Sequence, residues 1–400
     1  MRKKIVKNSV HVINLSSYTS PEVVENPRKD YIEYGDDNQY FQYLIDRYNG
    51  SATNNAAING ISEMIYGRGL DASDSKEKPE AYEQMKSLFS KECMKKVCYD
   101  YKMMGQAAVQ VIYTKDRTKV FQVEHIPIET LRAEKATDGK VMAYYYHPKW
   151  KDIRKDDEPK RISAFGMSKD GIEILYIRPY KAGFYYYSPV DYQGGLQYAE
   201  LEEEIGNYHI NNIQNGLQPS MLINFNNGTP NKEQREEIER AIYEKFSGTS
   251  NAGKFILAFN DSKELAANIE PVNIPDAYQQ YEFLANESMT KVMVSHRIVS
   301  PMLVGIKDKT GLGNNAQELE TASILMDNTV IRPMQVTIID ELQKILEYNN
   351  IDLDLYFKTL QPLEFTDLTN AITDAEVEKE TGVKKDDIKR EEEINEQSEE

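Results

Sequence analysis

The apolar positions of the chain change their spacing along its length, and each change marks an element. Met1 to Lys29 shows little periodicity and reads as an N-terminal arm (1–29). From Asp30 to about Leu70 apolar residues recur at helical spacing: Tyr43, Leu44 and Tyr48, then Ile58, Ile61, Met64 and Ile65. Gly67 and Gly69 close that run. A second helix is predicted over Glu80 to Met104, with Met85, Leu88, Phe89, Val97, Tyr101 and Met104 along one face. Between Gln106 and Pro189 the period becomes two, as in Val109, Val111 and Tyr113, which predicts strands. The triplets Tyr144-Tyr145-Tyr146 and Tyr185-Tyr186-Tyr187 suit strands as well, with packing on a sheet favoured over an interface role.

The helical period then returns. Tyr198 to Asn215 predicts a helix with Leu201, Ile205 and Tyr208 on one stripe, ended by Gly216. Met221 to Phe225 reads as a short strand. Thr229-Pro230 caps a helix bearing Ile238, Ala241, Ile242 and Phe246, and Lys254 to Phe259 reads as another strand. Asp276 and Gln279 open a helix that runs to Val299, where Ser300-Pro301 stops it. A small β-α-β unit is therefore expected between two long helices. A polar loop follows at Lys307 to Asn315, then a last helix from Ala316 to Tyr348 with a kink expected at Pro333. Beyond Phe365 the chain is acidic and poor in apolar residues, a solvated helix or a disordered tail (366–400).

Composition narrows the function classes. The net charge is −17, of which the segment from Thr366 to Glu400 carries −8. An acidic body argues against a protein that grips nucleic acid through its phosphates, yet suits a wall past which DNA must slide. No stretch approaches the roughly 20 apolar residues of a membrane helix, so no membrane is expected. The start is basic, but His11 and Asn14 interrupt any apolar core of an export signal. Cys93 and Cys98 are too few for a disulfide framework, which predicts an intracellular protein. With five scattered histidines they show no metal-ligand spacing, so no metal or cofactor is expected.

Two segments imitate nucleotide sites. Gly248 to Phe255 fits a Walker A loop, with Asn251, Gly253 and Lys254 in it, until its last position. There Phe255 replaces the hydroxyl that would hold Mg²⁺. The order helix–turn–strand is also the reverse of the one that aims a helix N-terminus at phosphate. Gly311-Leu312-Gly313-Asn314-Asn315-Ala316 matches a dinucleotide fingerprint, but no buried strand precedes it. No nucleophile elbow or zinc-protease motif is present. Acidic runs such as Glu202-Glu203-Glu204 read as solvated faces, and His209 and His296 as packed or interface residues.

Taken in order, the pieces resemble the phage portal protein family over roughly Asp30 to Phe365. The residues that carry this are Ile213-Gln214-Asn215-Gly216 with Pro219-Ser220-Met221-Leu222-Ile223, and the turn Gly248 to Lys254 with its strand Phe255-Ile256-Leu257. Further matches are Ile298-Val299-Ser300-Pro301-Met302-Leu303-Val304-Gly305, Thr329-Val330-Ile331-Arg332-Pro333-Met334 and Leu342-Gln343-Lys344-Ile345-Leu346. Ser300 stands where the family often has a first proline. The opening from Asp30 to Leu70 is similar to portal proteins of Bacteroidetes phages.

The resemblance implies an α+β portal-type fold. It has an α/β wing (30–197), stem helices (198–215 and 276–299) around a small α/β clip (216–275), and a wing or crown segment (300–365) with the long kinked helix 316–348. It implies a homo-oligomeric ring, usually of twelve, in the virion at one capsid vertex, assembled in the host cytoplasm. Double-stranded DNA passes through it without sequence recognition; terminase, a head–tail connector, and capsid or scaffold protein dock on it. On this reading Lys307, Asp308, Lys309, Thr310, Gly311, Leu312, Gly313, Asn314 and Asn315 form a tunnel loop. Glu200, Glu203, Glu204, Asn207 and Asn211 line the stem wall, and Gly248, Asn251, Gly253 and Lys254 form the clip turn. The chain is then not an enzyme. The rival readings are a nucleotide-dependent enzyme built on Gly253-Lys254 and a cytosolic scaffold protein.

Overall fold

The computed structural model describes residues 20–35, 37–153, 157–168, 171–214, 222–225, 233–234, 236–238, 256–259, 277–306 and 315–360. Two short strands, β1 (Val23–Val24) and β2 (Glu33–Tyr34), pair antiparallel ahead of helices α1 (Tyr40–Gly50) and α2 (Ala52–Tyr66). Ser51 separates the helices. Its backbone is extended and its hydroxyl accepts from Asn54 N–H, so one residue ends α1 and caps α2. Strand β3 (Leu70–Ala72) leads to α3 (Pro79–Leu88) and α4 (Lys91–Met104).

The single helix expected over Glu80 to Met104 is thus two. Ser90 takes an extended conformation and accepts from Cys93 N–H, which starts a new helix that the apolar period does not distinguish from the old one. Gly105 ends α4 in the left-handed region at φ 74°. A Cβ there would sit 2.7 Å from Ser188 O, so both conformation and space require glycine.

The β-rich part forms two three-stranded antiparallel sheets. One has the order β5 (Val120–His125), β4 (Ala107–Tyr113), β9 (Ile172–Ile177); the other has β6 (Leu131–Ala133), β7 (Ala143–Tyr146), β8 (Lys160–Ser163). The alternation read from sequence sets which core each residue joins. Val109, Val111 and Tyr113 face a core shared with α2, α3, α4 and the C-terminal helix, while Ala108 faces a second core built on α1, β2, β6 and β7.

Tyr144 to Tyr146 lie in β7, as expected, and Tyr144 stacks on Tyr176 with centroids 4.6 Å apart. Tyr185 to Tyr187 do not form a strand. They belong to a loop whose hydroxyls bond backbone: Tyr187 donates to Ile32 O at 2.5 Å and accepts from Ala133 N–H, and Tyr186 accepts from Ala136 N–H. Three aromatic residues in a row look strand-like, but here their hydroxyls tie a loop onto the second core.

Helix α5 (Leu196–Gln214) and helix α6 (Ala277–Ser295) are close to the two stem helices expected and pack on each other. Strands β10 (Leu222–Phe225) and β11 (Ile256–Phe259) pair parallel, Leu222 opposite Ile256. A parallel pair needs a crossover between its strands, which agrees with a β-α-β unit. After α6 come α7 (Asn315–Met326), a π-helical turn over Asp327–Ile331, and α8 (Arg332–Tyr348). Strand β12 (Leu355–Phe357) closes the described part by pairing with β3.

The irregularity expected at Pro333 lies one turn earlier. Arg332 N–H donates to Asp327 O, five residues back, and Pro333, which has no N–H to donate, follows that π turn directly at the start of α8.

Candidate functional site

Helix α5 is where the predicted wall residues gather. Its inward stripe, Leu201, Ile205 and Tyr208, faces α6, with Tyr208 stacked on Tyr281 at 4.5 Å. At about 100° per residue, Glu200, Glu204, Asn207 and Asn211 share a flank roughly a quarter-turn from that stripe. Glu204 and Asn207 are exposed on it. The side chain of Asn211 lies outside the described residues, as do Lys307 to Asn314 of the tunnel loop and Gly248, Asn251, Gly253 and Lys254 of the clip turn. Asn315 is the first residue of α7.

The acidic run is not simply a solvated face. Glu203 Oε2 lies 3.1 Å from Arg47 Nη2, and Glu200 Oε2 lies 3.5 Å from Arg47 Nη1. Glu202 accepts from Ser51 Oγ, from Thr53 Oγ1 at 2.9 Å and from Thr53 N–H at 3.4 Å. A carboxylate there meets the N-terminus of α2, where unpaired N–H groups and the helix dipole favour negative charge. A Cβ on Gly50 would collide with the Glu203 carboxylate, so α1 and α5 touch at a glycine. These contacts fix the base of α5 to α1 and α2. Of the triplet, Glu204 alone stays exposed.

The end of α6 is fixed by a second constellation, which the sequence did not reveal. Lys102 is fully buried and its Nζ lies 2.8 Å from Asp191 Oδ1, while Arg297 Nη2 lies 3.0 Å from Asp191 Oδ2. Burial, the largest single influence, would raise the Asp191 carboxyl, but the Lys102 ammonium with its hydrogen bond and the nearby Arg297 together outweigh it and hold that pKa below the usual carboxylate range. Burial also lowers Lys102, against the pull of Asp191. Next to them His296 is buried, stacks on Tyr192 at 4.3 Å, and shares a 2.8 Å hydrogen bond from Nε2 with Asn54 Oδ1. Burial and the nearby Lys102 charge push its pKa well below that of a free imidazole, so the ring is neutral. His296 is thus a packed residue, as expected. Arg297 takes a left-handed φ of 59°, which turns the chain out of α6. No local motif announces Asp191, because its partners come from α4 and from beyond α6.

The chemistry is that of a rigid joint. Among the described residues no group of histidines, cysteines and acids is placed to hold a metal ion, and no helix is long and apolar enough to cross a membrane. Burial pushes the Cys93 thiol up to about 12 and raises Cys98 also, so neither is a thiolate at neutral pH.

An antiparallel helix pair, a parallel strand pair between its two halves in sequence, and a late helix with a π turn make up an α+β fold. Solved structures share it. One is the neck of a native gene transfer agent particle computed with C12 symmetry: 14% identity, 92% of this chain and 92% of that chain, TM-score 0.53. Another is the neck of an empty gene transfer agent particle computed with C6 symmetry: 14% identity, 86% and 89%, TM-score 0.54. An HK97-family phage portal protein from Corynebacterium diphtheriae aligns over 78% of this chain and 94% of that one, at 12% identity and a TM-score of 0.45.

No family model matches the chain. In sequence it is similar to two uncharacterized Rickettsia proteins. One, from Rickettsia bellii, is 25% identical over 177 residues (44% of this chain, 43% of the relative). The other, from Rickettsia felis, is 27% identical over 172 residues (40% and 42%). The match thus spans less than half the length of these curated relatives.

Proposed function

We propose that the chain is a portal subunit of a phage or phage-like particle, one copy of a ring at a capsid vertex through which double-stranded DNA is packaged and ejected. The observation that carries this is the stem-like hairpin of α5 and α6, set in a fold shared over nine-tenths of the chain with a neck that has C12 symmetry. The joint described above supports it. A hairpin anchored at its base by Arg47, Glu202 and Asp191 stands as a stiff strut, as a conduit wall requires.

On this reading Glu204, Asn207 and Asn211 face the channel, with Glu200 at the top paired to Arg47, and an acidic wall lets DNA pass without adhesion. Glu203 turns instead toward Arg47 and contributes little to that wall. Residues 307–315 form the tunnel loop, where Lys307 and Lys309 make circles of positive charge in the ring and touch phosphates briefly. The segment between α5 and α6 is the clip that meets terminase and later the connector. The chain has no catalytic role and needs no cofactor, and its place is the virion.

Native mass spectrometry of the purified chain tests the ring. The expected result is a closed assembly of about twelve copies, built from repeated heterologous contacts. A monodisperse monomer at every salt and protein concentration would overturn the reading.

A further inference from the structure

The flanks of the stem hairpin carry features that its own fold does not use. On α6 the face toward α5 holds Tyr281, the buried Ser288 and the buried Val292. Phe283 points the opposite way and is 64% exposed. On α5 the outward face is covered near the wing by α1, through Arg47 and Glu203. Just past that cover the same face presents Gly206 and then Ile210, which is 54% exposed. A Cβ built on Gly206 meets nothing within 4 Å among the described residues, so the backbone is bare there. Glycine inside a helix is less favourable than alanine, so a bare position there calls for a packing reason.

Two contacts fix the height of these residues. Tyr208 stacks on Tyr281, and Gly195 abuts Ser295, so the helices run antiparallel with those pairs level. Counting two residues back from Tyr208 and two forward from Tyr281 gives Gly206 and Phe283. They are therefore level with each other, on opposite flanks of one hairpin. A cyclic rotation carries each residue to a neighbour without changing its height along the axis. Where the hairpins stand along that axis, Phe283 of one copy meets Gly206 of the next.

We propose that Phe283 of one copy seats over the bare backbone at Gly206, against Ile210, on α5 of the adjacent copy. The inference rests on the ring reading given above. Charge agrees with it. Lys291 is exposed on a flank of α6 about a quarter-turn from Phe283, level with Tyr198, and forms no ion pair with a carboxylate among the described residues. The face of the next copy at that height is α1, whose exposed residues are Gln42, Asp46 and Asn49. Asp46 supplies the opposite charge one position from Arg47, the residue that marks the height of Glu200. A ring contact thus places an aromatic knob in a glycine notch, with an ion pair nearer the wing.

Cross-linking of the full chain tests this. The variant carrying both Gly206→Cys and Phe283→Cys, treated with a short bifunctional maleimide, is expected to give a ladder of covalent multimers. Either single variant, and the parent chain with its buried Cys93 and Cys98, give none. Phe283→Asp is expected to raise the protein concentration for half-assembly roughly tenfold or more, as removal of an interface anchor does. If the double-cysteine chain fails to assemble, charge reversal decides: Asp46→Lys and Lys291→Asp each weaken the ring and together restore it. Rings that form but do not cross-link, or charge reversals that show no mutual rescue, overturn this contact and leave the ring reading intact. A parent chain that stays monomeric overturns both.

Discussion

At the scale of single residues, the base of the α5–α6 hairpin depends on the buried charge of Lys102. Lys102 is buried with Asp191 as its counter-charge, so Asp191→Leu leaves an ammonium unpaired in the interior. Breaking a buried pair from one side costs about 3–5 kcal/mol. Urea unfolding is expected to show a loss of that order, whereas Lys86→Ala, an exposed i,i+3 partner of Glu83, changes stability by about 0.5 kcal/mol or less.

His296 gives a pH signature. Its folded pKa lies well below the free value of 6.5, so below that pH the unfolded chain binds a proton that the folded chain refuses. Stability therefore falls as pH drops below about 6.5, starting from a plateau above it. The depressed Asp191 carboxyl acts in the same direction but only at much lower pH. The unfolding midpoint measured from pH 8 to pH 5 is expected to decline, and His296→Gln to flatten the decline. A parallel slope in the variant would assign the effect elsewhere.

At the scale of elements, sequence patterning located α2, α5 and the β-rich region through their steady apolar periods, and α6 through its capping residues Asp276 and Gln279 and its stop at Ser300-Pro301. It missed boundaries that depend on one polar residue acting on backbone. Ser90 splits α3 from α4 through a single hydrogen bond, and Ser90→Ala is expected to lower stability by about 1 kcal/mol in thermal or urea melts. It also missed the π turn, since Pro333 is visible in a sequence but the carbonyl it would strike is not. The Glu202-Glu203-Glu204 run was misread for a related reason. Its partners Ser51, Thr53 and Arg47 lie some 150 residues away, and no local pattern connects them.

Two segments outside the described residues have expected behaviours. Deleting Gly311 to Asn314 is expected to spare ring assembly while blocking packaging or retention of the genome, scored as filled against empty particles. Ending the chain after Phe365 removes an acidic stretch with little apolar surface and is expected to leave the ring intact by native mass spectrometry.

At the scale of the whole molecule, the α5–α6 hairpin is held at the N-terminus of α5 and the C-terminus of α6, while Gly206, Ile210 and Phe283 on its flanks are exposed among the described residues. Copies standing side by side, as proposed above, would cover Phe283 and Ile210. The rival reading, nucleotide chemistry at Gly253-Lys254, lacks the hydroxyl ligand at Phe255. Strand β11 begins at Ile256, where a P-loop would begin a helix. Calorimetry with ATP and Mg²⁺ is expected to show no saturable heat. Micromolar binding abolished by Lys254→Ala would restore the rival.

The most direct test of the central claim is a single-particle reconstruction of the purified full chain. The account predicts a closed ring with a central hole, the α5–α6 hairpins standing around it, Glu204 and Asn207 facing the lumen, and residues 307–315 at its narrowest level. A monomer, or a ring that carries 307–315 on its outer rim and turns Glu204 away from the hole, would contradict it.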